Sequence, residues 1–185
     1  MNTELLLKIL IPLGSTLFGG FITYSLWRVK ERKEIAQKQL ESLFELQKIN
    51  FKLLDNFNDL ETSLDIYVSS PSVVEPYNQS LVTEKIKQCS SELAEVYVVT
   101  LANAVHINSE TFEYAKQMHE EARRLFVSVT KSNYTYVNGE LRGYTTQNLN
   151  ALQKATMKIA QLQDFLMRKE SLYVERYINK YNKKL

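Results

Sequence analysis

Residues 5–27, LLLKILIPLGSTLFGGFITYSLW, decide how the rest of the chain is read. From Ile9 to Trp27 run 19 consecutive residues without an ionisable side chain. A bilayer core about 30 Å thick needs about 20 such residues in a helix rising about 1.5 Å per residue. Nine of the 19 are Leu, Ile or Phe, and each favours insertion by about 0.3–0.6 kcal/mol at the helix centre. Together they outweigh the polar Ser15, Thr16 and Thr23. The stretch reads as a single membrane-spanning helix.

The flanks give it a direction. A cleavable leader has a basic start, a shorter apolar run and a small-x-small cleavage triplet. Here Glu4 stands near the start, Pro12 and Gly14 interrupt the run, and no such triplet succeeds it. The run passes instead into Arg28-Val29-Lys30-Glu31-Arg32-Lys33, the flank of a retained anchor. With Lys38 these cations outnumber Lys8 on the other side, which places the C-terminal body in the cytoplasm, below an inner (plasma) membrane. Tyr24 and Trp27 fit the aromatic belt at the interface. Residues 1–29 are then the anchor and residues 30–185 the cytoplasmic part.

One face of the span is distinctive. Pro12, Ser15, Thr16, Gly19, Gly20 and Thr23 recur at steps of three and four, so they line one stripe. Small residues let membrane helices approach closely, with hydroxyls bonding across the contact. The stripe suggests a packing face (Ser15, Thr16, Gly19, Gly20 and Thr23) for a second copy or another membrane protein. The competing reading is that Gly and Pro are common in membrane helices for other reasons.

With 5 Gly and 3 Pro in 185 residues, the body should be mostly helical. The single Cys89 leaves no internal disulfide, which suits a reducing cytoplasm. The formal net charge of +2 conceals a gradient: residues 28–38 carry +3, residues 168–185 carry +4, and residues 39–167 carry −5.

Apolar periodicity then divides the body into helices at about 30–68, 80–106, 109–130 and 146–182. The first stripe includes Leu43, Phe44, Asn50, Phe51, Phe57 and Leu64; Gln47 and Asn50 interrupt it, which polar seam residues that set register can do but which an exposed edge explains more simply. Residues 69–76, with two prolines and three serines, form a turn. Tyr97 to Leu101 is β-branched in its middle, but the spacing around it is helical. Asn108-Ser109 caps the third helix, with Glu110 and Glu113 in its first turn. Residues 131–145 form a tyrosine-rich loop in which Asn138-Gly139 signals a tight hairpin. Its Tyr134, Tyr136, Arg142 and Tyr144 are candidates for contact with a partner, because Tyr and Arg are enriched at interfaces. Against this stands a loop whose tyrosines fold back on the helices.

Short connections make the four helices antiparallel neighbours, so the fourth returns to where the first began. Both basic ends then meet at the membrane surface, Arg28, Lys30, Arg32 and Lys33 from one and Lys180, Lys183 and Lys184 from the other; the competing reading is a frayed, soluble C-terminus. At that surface each cation contributes about 1 kcal/mol of attraction to an anionic leaflet.

Catalytic constellations are lacking. His106 and His119 stand apart, His119-Glu120-Glu121 is not a metalloprotease motif, and no phosphate loop or paired-carboxylate pattern occurs. Cys89 lies on an apolar stripe. Asn78-Gln79-Ser80 and Asn133-Tyr134-Thr135 match a glycosylation triplet that a cytoplasmic location voids. No metal, cofactor or nucleic acid is implied.

The fold expected is all-α, an N-terminal transmembrane helix continuing into an antiparallel four-helix-bundle-like domain with long, coiled-coil-like first and last helices. The function expected is that of a self-associating scaffold at the lipid bilayer, a homo-oligomer presenting its bundle to a cytoplasmic or membrane protein. The alternative is a membrane effector or sensor, of toxin or phage-defence type, whose assembled spans perturb the bilayer on a signal.

Overall fold

The computed structural model describes the backbone of residues 3–69, 76–131, 135–137 and 140–181, and the side chains of residues 19–69, 79–131 and 143–181. Four helices dominate: α1 (Thr3–Ser69), α2 (Pro76–Ile107), α3 (Ser109–Thr130) and α4 (Thr146–Tyr181). Between α3 and α4 lie two short strands, β1 (Thr135–Val137) and β2 (Glu140–Arg142). They pair antiparallel, with Val137 opposite Glu140; Asn138 and Gly139, expected at a tight hairpin, lie outside the described residues.

Helix boundaries obey local chemistry. From Phe21 onward α1 meets neither Gly nor Pro, and it ends at Ser69, two residues before Pro71. Pro76 opens α2, where its missing N–H costs nothing. Asn108 caps α3: its backbone is extended and its Oδ1 accepts from the Thr111 N–H at 2.7 Å. At 67 residues α1 is about 100 Å long.

The helices run up, down, up and down. Along α1 and α4 the partners count in opposite directions: Gln47 with Glu170 at 2.8 Å, Asn50 with Gln163 at 2.9 Å, Glu61 with Gln153 at 3.1 Å. Helix α1 borders α2 and α4, and α3 borders the same two. Apart from Ser42, which flanks the series, buried positions on α1 are Leu43, Leu46, Asn50, Leu53, Phe57, Leu60, Leu64 and Tyr67. Their steps alternate strictly between three and four, the heptad seam of supercoiled bundles.

That seam is narrower than the stripe read from the sequence and corrects it twice. Asn50 is 1% exposed and belongs to the core instead of an edge, while Phe44 and Phe51, one position beyond the seam, are 49% and 54% exposed.

The corners are tied by side chains that answer helix ends. At the far end, Asn148 donates from Nδ2 to the carbonyls of Ser128 at 3.1 Å and Lys131 at 2.9 Å, and accepts from the Thr145 N–H at 2.9 Å. It thereby joins the C-terminus of α3 to the N-terminus of α4. At the near end, Gln39 donates to the Ile107 carbonyl at 2.8 Å, and Asn108 donates to the Tyr173 hydroxyl at 2.7 Å. The four-helix body thus closes at Gln39. About 36 residues of α1, some 55 Å, continue past it toward the N-terminus.

Among the described residues no helix is long and apolar enough to cross a membrane. Most of the apolar stretch, through Phe18, lies outside the residues whose side chains are described.

Candidate functional site

Two places depart from an ordinary helical core: the N-terminal end of the body and a polar layer across its middle.

At the N-terminal end, α1 carries large exposed apolar side chains, with the Tyr24 and Trp27 rings 6.3 Å apart. Phe21 is 69% exposed, Leu26 67% and Trp27 57%. A Cβ added at Gly19 or Gly20 would meet nothing within 4 Å, so this face is open. Thr23 satisfies its own hydroxyl by donating to the Gly19 carbonyl at 2.8 Å, the local bond that lets a hydroxyl sit on an apolar helix. Ser15 and Thr16 lie on α1, but their side chains fall outside the described residues.

Next along the helix come the cations. Arg28, Lys30, Arg32 and Lys33 are exposed, and Lys30 faces Glu34 at 3.8 Å. The heptad register explains which of them turns inward: continued below Leu43, the seam passes through Gln39, Ala36 and Arg32. Opposite, α4 continues below Leu166 through Tyr173 and Tyr177. With α2 and α3 already ended, the two helices border an open cleft of about 900 Å³. Arg32, Tyr173, Arg176, Tyr177, Lys180 and Tyr181 are among the residues lining it. The Arg176 guanidinium stands 6.0 Å from the Tyr173 ring and the Lys180 ammonium 5.3 Å from the Tyr181 ring. The structure thus brings Arg32 and Lys180 to one place. Lys183 and Lys184 lie outside the described residues.

The polar layer is illegible as a unit in the sequence. Asn50 of α1, Thr100 of α2, His119 of α3 and Gln163 of α4 are each at most 4% exposed. They separate two apolar clusters, one including Leu53, Leu93, Ala122 and Ile159, the other Leu46, Ala104, Met118 and Leu162. Asn50 donates from Nδ2 to the Gln163 Oε1 at 2.9 Å and the Ile159 carbonyl at 3.1 Å. Asn50 Oδ1, Gln163 Nε2, Thr100 Oγ1 and both His119 nitrogens have no partner among the described residues. Burial lowers the His119 pKa to about 4, and Arg123 on the same helix adds to the shift. The imidazole is therefore neutral, with the Tyr97 ring 6.1 Å away. The signal available in the sequence is a polar residue on each helix at heights that antiparallel pairing brings level.

The hairpin divides the tyrosine candidates. Tyr144 is 4% exposed and is corrected from partner contact to core. Its ring meets Tyr67 edge-on at 6.1 Å and its hydroxyl lies 3.1 Å from the Thr83 hydroxyl. This tyrosine folds back on the helices, and its aromatic bulk closes the far end of the core. Tyr136 and Arg142 lie on β1 and β2, but their side chains, and all of Tyr134, fall outside the described residues.

Cys89 belongs to the apolar cluster of Leu53, Phe57 and Leu93. Burial, with the Glu92 carboxylate next, pushes the Cys89 thiol up to about 12, so it stays protonated and unreactive. Among the described residues no three His, Cys, Asp or Glu side chains are grouped to hold a metal. A comparison with protein-family models, curated proteins and solved structures finds no match.

Proposed function

We propose that the chain is a single-pass membrane-anchored helical scaffold. Residues 9–27 cross the bilayer, the bundle stands on its cytoplasmic side, and copies associate through the Ser15–Thr23 stripe. The observation that carries this reading is the continuity of α1: one helix holds both the charge-free run and the first strip of the core. An exposed apolar helix of this kind is costly in water and needs lipid or a partner around it. Gly19 and Gly20, open on the surface of the single chain, are compatible with a close helix–helix approach there. Phe44 and Phe51, seven residues apart and half exposed, supply apolar area on the body that a protein partner would cover.

Crosslinking of the full chain in membranes tests self-association. Gly19→Ile with Gly20→Ile should abolish the crosslinked oligomers; oligomers at the unsubstituted level would remove the stripe from this role.

A second reading, an effector that opens on a signal and perturbs the bilayer, is favoured by the polar layer. A core divided by unpartnered polar groups has a plane of weakness at which a bundle parts. Growth arrest with dye leakage on overexpression would support it, and harmless expression at high level would count against it.

A further inference from the structure

We infer that the cleft between the N-terminal part of α1 and the end of α4 holds the phosphate headgroup of an anionic phospholipid, which rests on reading residues 9–27 as the anchor. Three cations, Arg32, Arg176 and Lys180, line the cleft with one carboxylate, Glu175. Among the described residues none of the three has a carboxylate within 4 Å. Some lysines of the body are paired, Lys85 with Asp59 at 3.4 Å, Lys158 with Glu121 at 2.7 Å and Lys169 with Glu110, while Lys52, Lys87 and Lys154 stand apart from one another without such a partner among the described residues. What sets Arg32, Arg176 and Lys180 apart is that they share one open cavity.

Depth selects a lipid over a free ion. Arg32 lies five residues beyond Trp27, about 8 Å along the helix axis. The headgroup layer outside the hydrocarbon is about 5–8 Å deep on each side. A helix that leaves the bilayer at Trp27 therefore carries Arg32 to phosphate level. Ile35 and Leu172, 54% and 47% exposed, stand beside the cations, and both line the cleft. Arg176 adds the planar fork that suits phosphate oxygens.

The test is lipid retention by the full-length chain in mild-detergent micelles doped with phosphatidylglycerol or phosphatidylcholine, read by native mass spectrometry. The unsubstituted protein should retain phosphatidylglycerol in preference. Each of Arg32→Gln, Arg176→Gln and Lys180→Gln should cut that preference by about fivefold, the factor expected for one cation at an anionic surface. The combined variant should show none, while Lys52→Gln/Lys87→Gln/Lys154→Gln, removing equal charge from the body, should keep it. Equal loss in the body variant, or full retention in the cleft variant, overturns the site. Displacement of the lipid by millimolar inorganic phosphate overturns the lipid assignment in favour of a soluble phosphate ligand. Should the chain prove soluble without detergent, the anchor fails separately, and the same measurement with short-chain phosphatidylglycerol still decides the cleft.

Discussion

The two halves of the helical body, on either side of the Asn50–Gln163 layer, are built for different ends. The far half is dense with aromatic and branched side chains: Phe57 stacks on Phe126 at 5.2 Å, Tyr67 meets Tyr144, and Asn148 stitches the last corner. The near half has no buried aromatic ring in its central cluster, which is built of Leu, Ile, Met and Ala, and its seam runs out into a charged, open cleft. Its one large aromatic stack, Tyr114 on Phe165 at 4.3 Å, lies at the flank. Large buried side chains are concentrated away from the N-terminal part of α1, and exposed charge is concentrated beside it. The same heptad repeat makes both, because the residues placed on it change from Leu and Phe to Gln, Ala and Arg.

Core truncation should give the largest contrast. Phe57→Ala removes a fully buried ring and should cost about 3–5 kcal/mol, against about 2–3 kcal/mol for Leu46→Ala in the near half. Denaturant unfolding of the full chain in detergent compares them, and equal losses would erase the distinction between halves.

His119 should make stability depend on pH. Its pKa falls from 6.5 to about 4 on folding, so between those values the unfolded chain binds more protons. Stability is complete above about pH 6.5 and declines as pH drops toward 4, by a difference on the order of 3 kcal/mol. His119→Phe should flatten this dependence. A slope unchanged by the substitution would place its origin elsewhere.

The polar layer itself sharpens the comparison at smaller amplitude. Asn50→Leu alone should destabilise by about 1–3 kcal/mol, because it strands Gln163, while Asn50→Leu/Gln163→Leu should be near neutral or stabilising. A double variant weaker than the single would show the layer to be a structural necessity. Asn148→Ala, leaving the last α3 carbonyls unanswered, should cost about 1–2 kcal/mol and leave the layer untouched.

Much of the fold is legible from spacing alone. Helices α3 and α4 begin where their caps and turn residues place them, at Ser109 and Thr146, and Asn138-Gly139 marks the hairpin. What the sequence conceals is tertiary. A stripe drawn with a 3.6-residue period admits Phe44 and Phe51, and only a partner helix on each side shows that the seam steps past them. Asn50 looks like an edge because its partner, Gln163, is 113 positions away. Tyr144 looks exposed because polar neighbours surround it in sequence, whereas Tyr67 and Thr83 receive it in space. The cleft is half legible: charge alone brings both basic segments to one end, but the register that turns Arg32 inward needs the seam.

The most direct test of the anchor is alkaline carbonate extraction of membranes from cells making the full-length chain, with protease treatment of intact cells alongside. The chain should stay in the pellet until detergent is added, with residues 30–185 protected from external protease. Release by carbonate alone, or digestion of the bundle from outside, would contradict a span at residues 9–27 with the body on the cytoplasmic side.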